Sequence, residues 1–252
     1  MNIFTKYILM IILGFITHSL SSQDDPEIDR SFQYLSLKAQ YIQLDDQVNY
    51  GYVFDGINLA VGYGFQKENQ RVVIRYEGEI GFGSVNNLGH GFYWKFKPID
   101  FFHGFKINNS TSVLGGYMGA EYSWQQYDEL QGGRLFWMSN IEIGPEIQFS
   151  IPLGSRNINV GVSSSLAGLA ARPEFGPEQY YYSFSFSEFI SSSHRNAKFG
   201  SFGLFNHTKL NVELLGNGGG RIMLGYEFDY LGYYEEPKAT FLSHSINLKW
   251  KL

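Results

Sequence analysis

Three observations predict an all-β fold, closed into an antiparallel up-and-down barrel that crosses a membrane. Apolar and polar residues alternate with period two from about residue 31 to the end of the chain. The composition is poor in charge (17%) and rich in Gly (29), Phe (22) and Tyr (18). After residue 22 no apolar run approaches the roughly 20 residues a transmembrane helix needs, and mean hydropathy is -0.19. A mature chain that enters a membrane must therefore cross it as strands.

The same composition excludes other classes. With 40 Phe and Tyr residues the chain has too many apolar rings to be disordered. The absence of Cys removes disulfide frameworks, thiolate metal sites and lipid-modified cysteines. A net charge of -5 without basic runs gives no nucleic-acid footprint. There is no HExxH, no phosphate-binding glycine loop and no calcium-loop motif, so no cofactor or metal is expected.

The first element is a predicted secretory signal over 1–22. Lys6 supplies the positive start, Tyr7 to Ile16 the apolar run, and Ser19, Ser21 and Ser22 the small residues before cleavage. That apolar run covers only about 15 Å as a helix, too short for a bilayer. Residues 23–252 form the predicted barrel domain.

Ten alternating segments follow, at about 31–44, 51–66, 70–83, 91–107, 111–124, 134–151, 157–169, 198–215, 220–234 and 239–252. The last is the clearest. Leu242, His244, Ile246, Leu248, Trp250 and Leu252 share one face, and Ser243, Ser245, Asn247, Lys249 and Lys251 the other. An even count places both ends of the barrel domain on one rim, with the short turns near residues 66–70, 108–110, 154–157 and 216–219. The opposite rim then carries the longer connections, above all 170–197, as in outer-membrane barrels. Pro98 interrupts the fourth segment and predicts a bulge or kink there. Residues 180–190 offer a further hairpin or lid helix, so eight or twelve strands stay open.

Alternation alone does not say which face is wet. The polar faces carry both signs of charge: Lys38; Arg75, Glu77 and Glu79; Lys95 and Lys97; Glu142 and Glu146; Lys209 and Glu213; Glu227 and Asp229. Glycines 62, 64, 81, 115, 119, 144, 161, 203 and 225 share those faces and leave room for long side chains. Trp94, Trp124, Trp137, Trp250, Tyr233 and Tyr234 lie near strand ends, where an interfacial girdle needs rings. These features predict a barrel with apolar residues outward and charges inward.

The ending Ile246, Leu248, Trp250, Leu252 resembles the C-terminal signal of Gram-negative outer-membrane β-barrel proteins, although those usually end in Phe or Trp. The resemblance implies residence in the cell outer membrane, contact with outer-membrane lipid, and delivery to the barrel assembly machinery through the last strand. It is silent on activity.

Three constellations could carry chemistry. The first is the charged lumen around the hairpin 198–234. One register sets His207 opposite Glu227; its neighbour sets His207 opposite Asp229 and Lys209 opposite Glu227. A paired network plugging a narrow barrel accounts for either. A His–carboxylate base is the sharper reading, and with Ser245 on the next strand a hydrolase triad comes to mind. A triad, however, needs its His between the other two groups, and here Asp229 takes that place.

The second constellation is outward: His244, Tyr230, Asn206 and Thr208. Interfacial anchoring explains it, and an enzyme acting on phospholipid or lipid A is the alternative. The lipase pattern fails at the nucleophile, because Ile246 stands two residues after His244, and His207 lacks the following Ser of a His-x-Ser pair.

The third is the long outer loop, whose Arg172, Tyr180, Tyr181, Tyr182 and Arg195 form a candidate binding surface for a partner. For a rim protease, Asp45, Asp46, Asp128, Glu129 and His90 show no distinguishing spacing. The sequence thus predicts an outer-membrane barrel with a charge-paired lumen, a structural, binding or narrow-conduit protein. A lipid enzyme, a rim protease or an assembly partner of a surface complex are its alternatives.

Overall fold

Among the described residues there are twelve strands: β1 (Arg30–Asp46), β2 (Tyr52–Glu68), β3 (Val72–Asn86), β4 (Gly91–Lys106), β5 (Ser112–Tyr127), β6 (Arg134–Leu153), β7 (Arg156–Ser164), β8 (Ala167–Ala171), β9 (Lys198–Gly200), β10 (Phe205–Leu215), β11 (Ile222–Tyr233) and β12 (Ala239–Lys251). The computed structural model describes residues 30–47, 51–86, 91–107, 112–127, 134–154, 156–172, 197–215 and 221–252. The predicted signal over 1–22 lies outside them, as do Tyr180, Tyr181, Tyr182, Arg195 and His90.

Every strand pairs antiparallel with its neighbours. β1 joins β12 over Tyr34↔Lys251 to Asp46↔Ala239, which closes the sheet into a barrel. Ten strands make the wall, as the alternation predicts: β1 to β7 and β10 to β12. β8 and β9 are the offset upper parts of the seventh and eighth wall strands. β6 pairs with β7 below (Glu146↔Ser163) and with β8 above (Ile143↔Ala167), a shift of one residue at Leu166. Ser201 to Leu204 loop out between β9 and β10, with the amides of Leu204 and Phe205 both donating to the Ser201 carbonyl. Gly203 lies in this loop with open space around it, not on the lumen face the sequence suggests.

The faces are inside out. Leu59 is 65% exposed and Ile246 63%, whereas Lys38, Glu79, Lys95, Glu142 and Asp229 are buried. An apolar surface that continuous is foreign to a soluble monomer and fits hydrocarbon. The chain is therefore a transmembrane β-barrel.

The rims differ less than the sequence suggests. Residues 69–71, 107–111, 154–155 and 216–221 connect strands on one rim; 47–51, 87–90, 128–133, 172–197 and 234–238 on the other. Only 172–197 is long. Several connections are short because the strands run further than the alternation does: β6 reaches 20 residues, against the roughly 9–11 needed to cross a bilayer. The wall is also uneven, since β11 has only 12 residues.

Pro98 produces the predicted bulge. β4 carries one extra residue, which falls between Phe96 and Ile99 against β5 and between Lys97 and Asp100 against β3. The Pro98 carbonyl accepts a hydrogen bond from the Tyr76 hydroxyl (2.9 Å). The bulge brings Lys97 and Asp100 to the same side of the wall, where they pair at 3.0 Å. In a regular strand residues three apart point to opposite faces.

Candidate functional site

The lumen is filled in three layers. Near the short-turn rim, Val73, Phe102, Val113 and Tyr117 form an apolar cluster. Near the other rim, Ile42, Leu44, Phe54, Tyr93, Phe136, Phe205, Leu231, Tyr233 and Phe241 form a larger plug. Tyr93 and Phe241 stack in it at 6.2 Å. Tyr233 points inward here and is no girdle residue. This plug escapes sequence reading because the lumen face turns apolar at that height, with Ile42 and Leu44 inward and Gln43 and Asp45 outward on β1, so polarity no longer tells inside from outside.

Between the clusters lies an ionic layer. Nine carboxylates (Glu77, Glu79, Asp100, Glu121, Glu142, Glu146, Glu213, Glu227, Asp229) face six cations (Lys38, Arg75, Lys95, Lys97, Lys209, Lys249) and His207. Lys38 bridges Glu79 (2.6 Å) and Glu227 (3.2 Å), and Lys249 bridges Glu213 (2.6 Å) and Glu77 (3.2 Å). Arg75 holds Glu146 at 3.0 Å. Rings close the layer on both sides: the Lys95 ammonium lies 5.6 Å from the Phe241 ring, and Lys249 4.9 Å from the Tyr34 ring.

Glycines admit these long side chains. A Cβ on Gly64 would strike the Tyr34 ring, whose hydroxyl donates to Glu77 (2.9 Å). One on Gly119 would crowd the Glu142 carboxylate. A polar cavity of about 20 Å³, lined by Arg75, Asp100, Glu146, Ser163, Lys209 and Asn211 among others, remains beside the layer. It holds about one water.

His207 is the centre of this layer. Its Nε2 lies 2.5 Å from Asp229 Oδ1 and its Nδ1 2.7 Å from Glu142 Oε1. Lys95 reaches Glu121 (2.9 Å) and Asp229 (3.5 Å). The His207–Asp229 pair agrees with one sequence register, but the strands pair differently from both. Lys209 stands opposite Asp229 and Asn211 opposite Glu227, because the turn after Leu215 is wider than expected. His207 meets Asp229 diagonally. Glu142, two strands away, was missed; its only sequence signal is its place on a charged face.

No triad forms. Ser245 donates to the Glu227 backbone carbonyl (3.4 Å) and stands opposite Glu227, while Ser243 faces Asp229. Glu227 itself serves Lys38.

The outward cluster divides in two. His244 Nδ1 meets the Tyr226 hydroxyl at 2.7 Å and lies against the Phe228 ring (5.1 Å). Asn206 instead accepts from Ser164 and Thr208, both at 3.2 Å, and Tyr230 bonds Tyr234 (3.2 Å). His244 and Asn206 therefore do not form the base-and-orienter pair of a lipid hydrolase.

Arg172 also differs from expectation. It is not an exposed anchor but is buried (3% exposed), paired with Asp46 at 2.5 Å and stacked near Tyr233 (5.3 Å) and Phe136 (5.9 Å). The apolar plug supplies the rings that make burial of a guanidinium favourable there. Arg172 thereby ties the root of the 172–197 connection to the end of β1.

The sequence matches no protein-family model and no curated protein. Among solved structures it is similar to the translocator domain of the autotransporter NalP from Neisseria meningitidis (8% identity, TM-score 0.42, covering 98% of this chain and 96% of that one). It is similar to the outer membrane protease OmpT from Escherichia coli (8% identity, TM-score 0.44, 92% and 99%). The β domain of the Bordetella autotransporter BrkA matches at 8% identity, TM-score 0.44, over 88% and 99%.

Proposed function

We propose that this chain is a sealed outer-membrane barrel that serves as a rigid mount for its surface connections and does not conduct. The filled lumen carries this reading. Two apolar layers and an ion-paired layer occupy it, and the cavity beside them has room for about one water. A ten-stranded barrel is narrow to begin with; open porin channels need about 16–18 strands.

The surface partner enters through 172–197, the longest connection between the described strands, whose root is fixed by Arg172 and Asp46. Loops on a rigid scaffold are where binding residues concentrate. Neither the separated His207 and Ser245 nor the separated His244 and Asn206 favours a hydrolase.

Planar-bilayer recording tests the proposal. Wild-type protein, folded and inserted, should give no stable unitary conductance. A stable conductance step in the wild-type protein would overturn the sealed reading.

A further inference from the structure

We propose that the centre of the lumen is a binding site for one divalent cation, with His207, Asp229 and Glu121 as ligands. One donor atom from each lies within 4.8 Å of the others, and all three residues are buried. They come from three wall strands, β10, β11 and β5, so the barrel wall itself fixes their separation. A nitrogen and two carboxylate oxygens with a further position open suit Zn²⁺.

Three observations favour a cation beyond the cluster itself. First, Glu142 stands at the far nitrogen of His207, 2.7 Å from Nδ1. A carboxylate on that side favours the tautomer whose Nε2 presents its lone pair to a metal. Second, a buried side chain at the same height has an unpartnered oxygen: Ser243 Oγ, directly across from Asp229. Ser243 alternates onto the lumen face. Third, the ionic layer holds nine carboxylates against six Lys and Arg side chains and His207 among the described residues, so carboxylates stay in excess even with His207 counted as a cation. Buried charge without a counter-charge is costly, so the excess favours a further cation.

Lys95 sets the terms. Its ammonium, 2.9 Å from Glu121 and 3.5 Å from Asp229, is the cation these two carboxylates share in the metal-free barrel. Metal binding displaces it toward the Phe241 ring, which it already faces at 5.6 Å. Binding also releases the proton on His207 Nε2, because a metal-bound imidazole nitrogen must be unprotonated. Lys95 is thus a built-in competitor, and its removal should strengthen metal binding. A structural ion-pair network predicts the reverse, loss of fold with nothing gained.

The test uses Zn²⁺ as probe on the purified, folded full barrel, with metal content read by mass spectrometry and folding by heat-modifiable migration. Wild type should hold one zinc per chain. Asp229→Asn and Glu121→Gln, near-isosteric and without the ligand charge, should each bind more weakly, and Glu142→Gln about tenfold or more weakly. Lys95→Met should bind more tightly than wild type and regain thermal stability on adding zinc. The proposal is overturned if folded wild type and folded Lys95→Met both stay zinc-free in excess metal. It is equally overturned if Asp229→Asn binds zinc as tightly as wild type. Should Lys95→Met fail to fold even with zinc present, the competitor role is refuted. Zinc in wild type with no conductance change leaves the sealed-barrel reading untouched, so the two can fail separately.

Discussion

At the residue scale, the lumen obeys one rule: a buried charge is tolerated where its partner is buried with it. His207 sits between Glu142 and Asp229, and its removal leaves two buried carboxylates without the charge between them. His207→Ala should lower unfolding stability in urea by about 3–5 kcal/mol, whereas an exposed control such as Lys198→Ala, in its surface pair with Glu235, should change it by less than about 1 kcal/mol. Arg172→Met tests the same rule at the mouth. It strands Asp46, and limited proteolysis should then cut within 172–197 faster than in wild type, since the root of that connection loses its tie. Unchanged cleavage would mean the pair does not hold the connection. Most of the charged residues could be read from the sequence, because a Lys or Glu on an alternating face has only one sheltered place to go. Arg172 could not be, since it lies where alternation has ended and composition resembles a surface loop.

At the element scale, register carries more information than strand count. The bulge at Pro98 re-aims everything after it on β4, so Lys97 and Asp100 share the lumen. Deleting Ile99 removes the extra residue and leaves Asp100 two positions after Lys97, still on the lumen face of a now regular ladder. Heat-modifiable migration should therefore survive the deletion, and its loss would contradict this register. Pro98 gave this bulge away in the sequence, because a residue without an amide proton cannot sit inside a ladder. The break between β7 and β8 left no such mark. It falls in Ser163-Ser164-Ser165-Leu166-Ala167, where small side chains hide which face is which. The hairpin β10–β11 shows a third case: parity was legible, register was not, because a shift by two residues keeps every side chain on its face.

At the scale of the whole molecule, the wall is an apolar sleeve around a salt-bridged core, with apolar stoppers above and below. Charge on the sleeve should hurt in proportion to depth. Leu59→Arg, on the outward face near the middle of β2, should destabilise the folded barrel by about 2–4 kcal/mol in lipid vesicles. The same substitution at Leu252, past the end of β12, should have an effect near zero. Equal effects at both sites would contradict the inside-out assignment. The polarity of the two faces was legible because both signs of charge and the glycines alternate together. The apolar stopper was not, because aromatics that fill a lumen and aromatics that meet lipid look the same in a string of letters.

The outward face holds one further arrangement. Phe82, Trp94, Trp124 and Trp137 stand side by side on β3 to β6, each directly across from the next, toward the rim of the long connection. The fourth tryptophan of the chain, Trp250, is alone near the opposite rim. The barrel therefore carries its own optical depth marker. In vesicles with one orientation, an impermeant quencher added outside reaches one rim only, so emission should split into a quenched and a shielded fraction. Trp250→Phe should remove one fraction cleanly, and which one disappears reports which rim faces the outside of the vesicle.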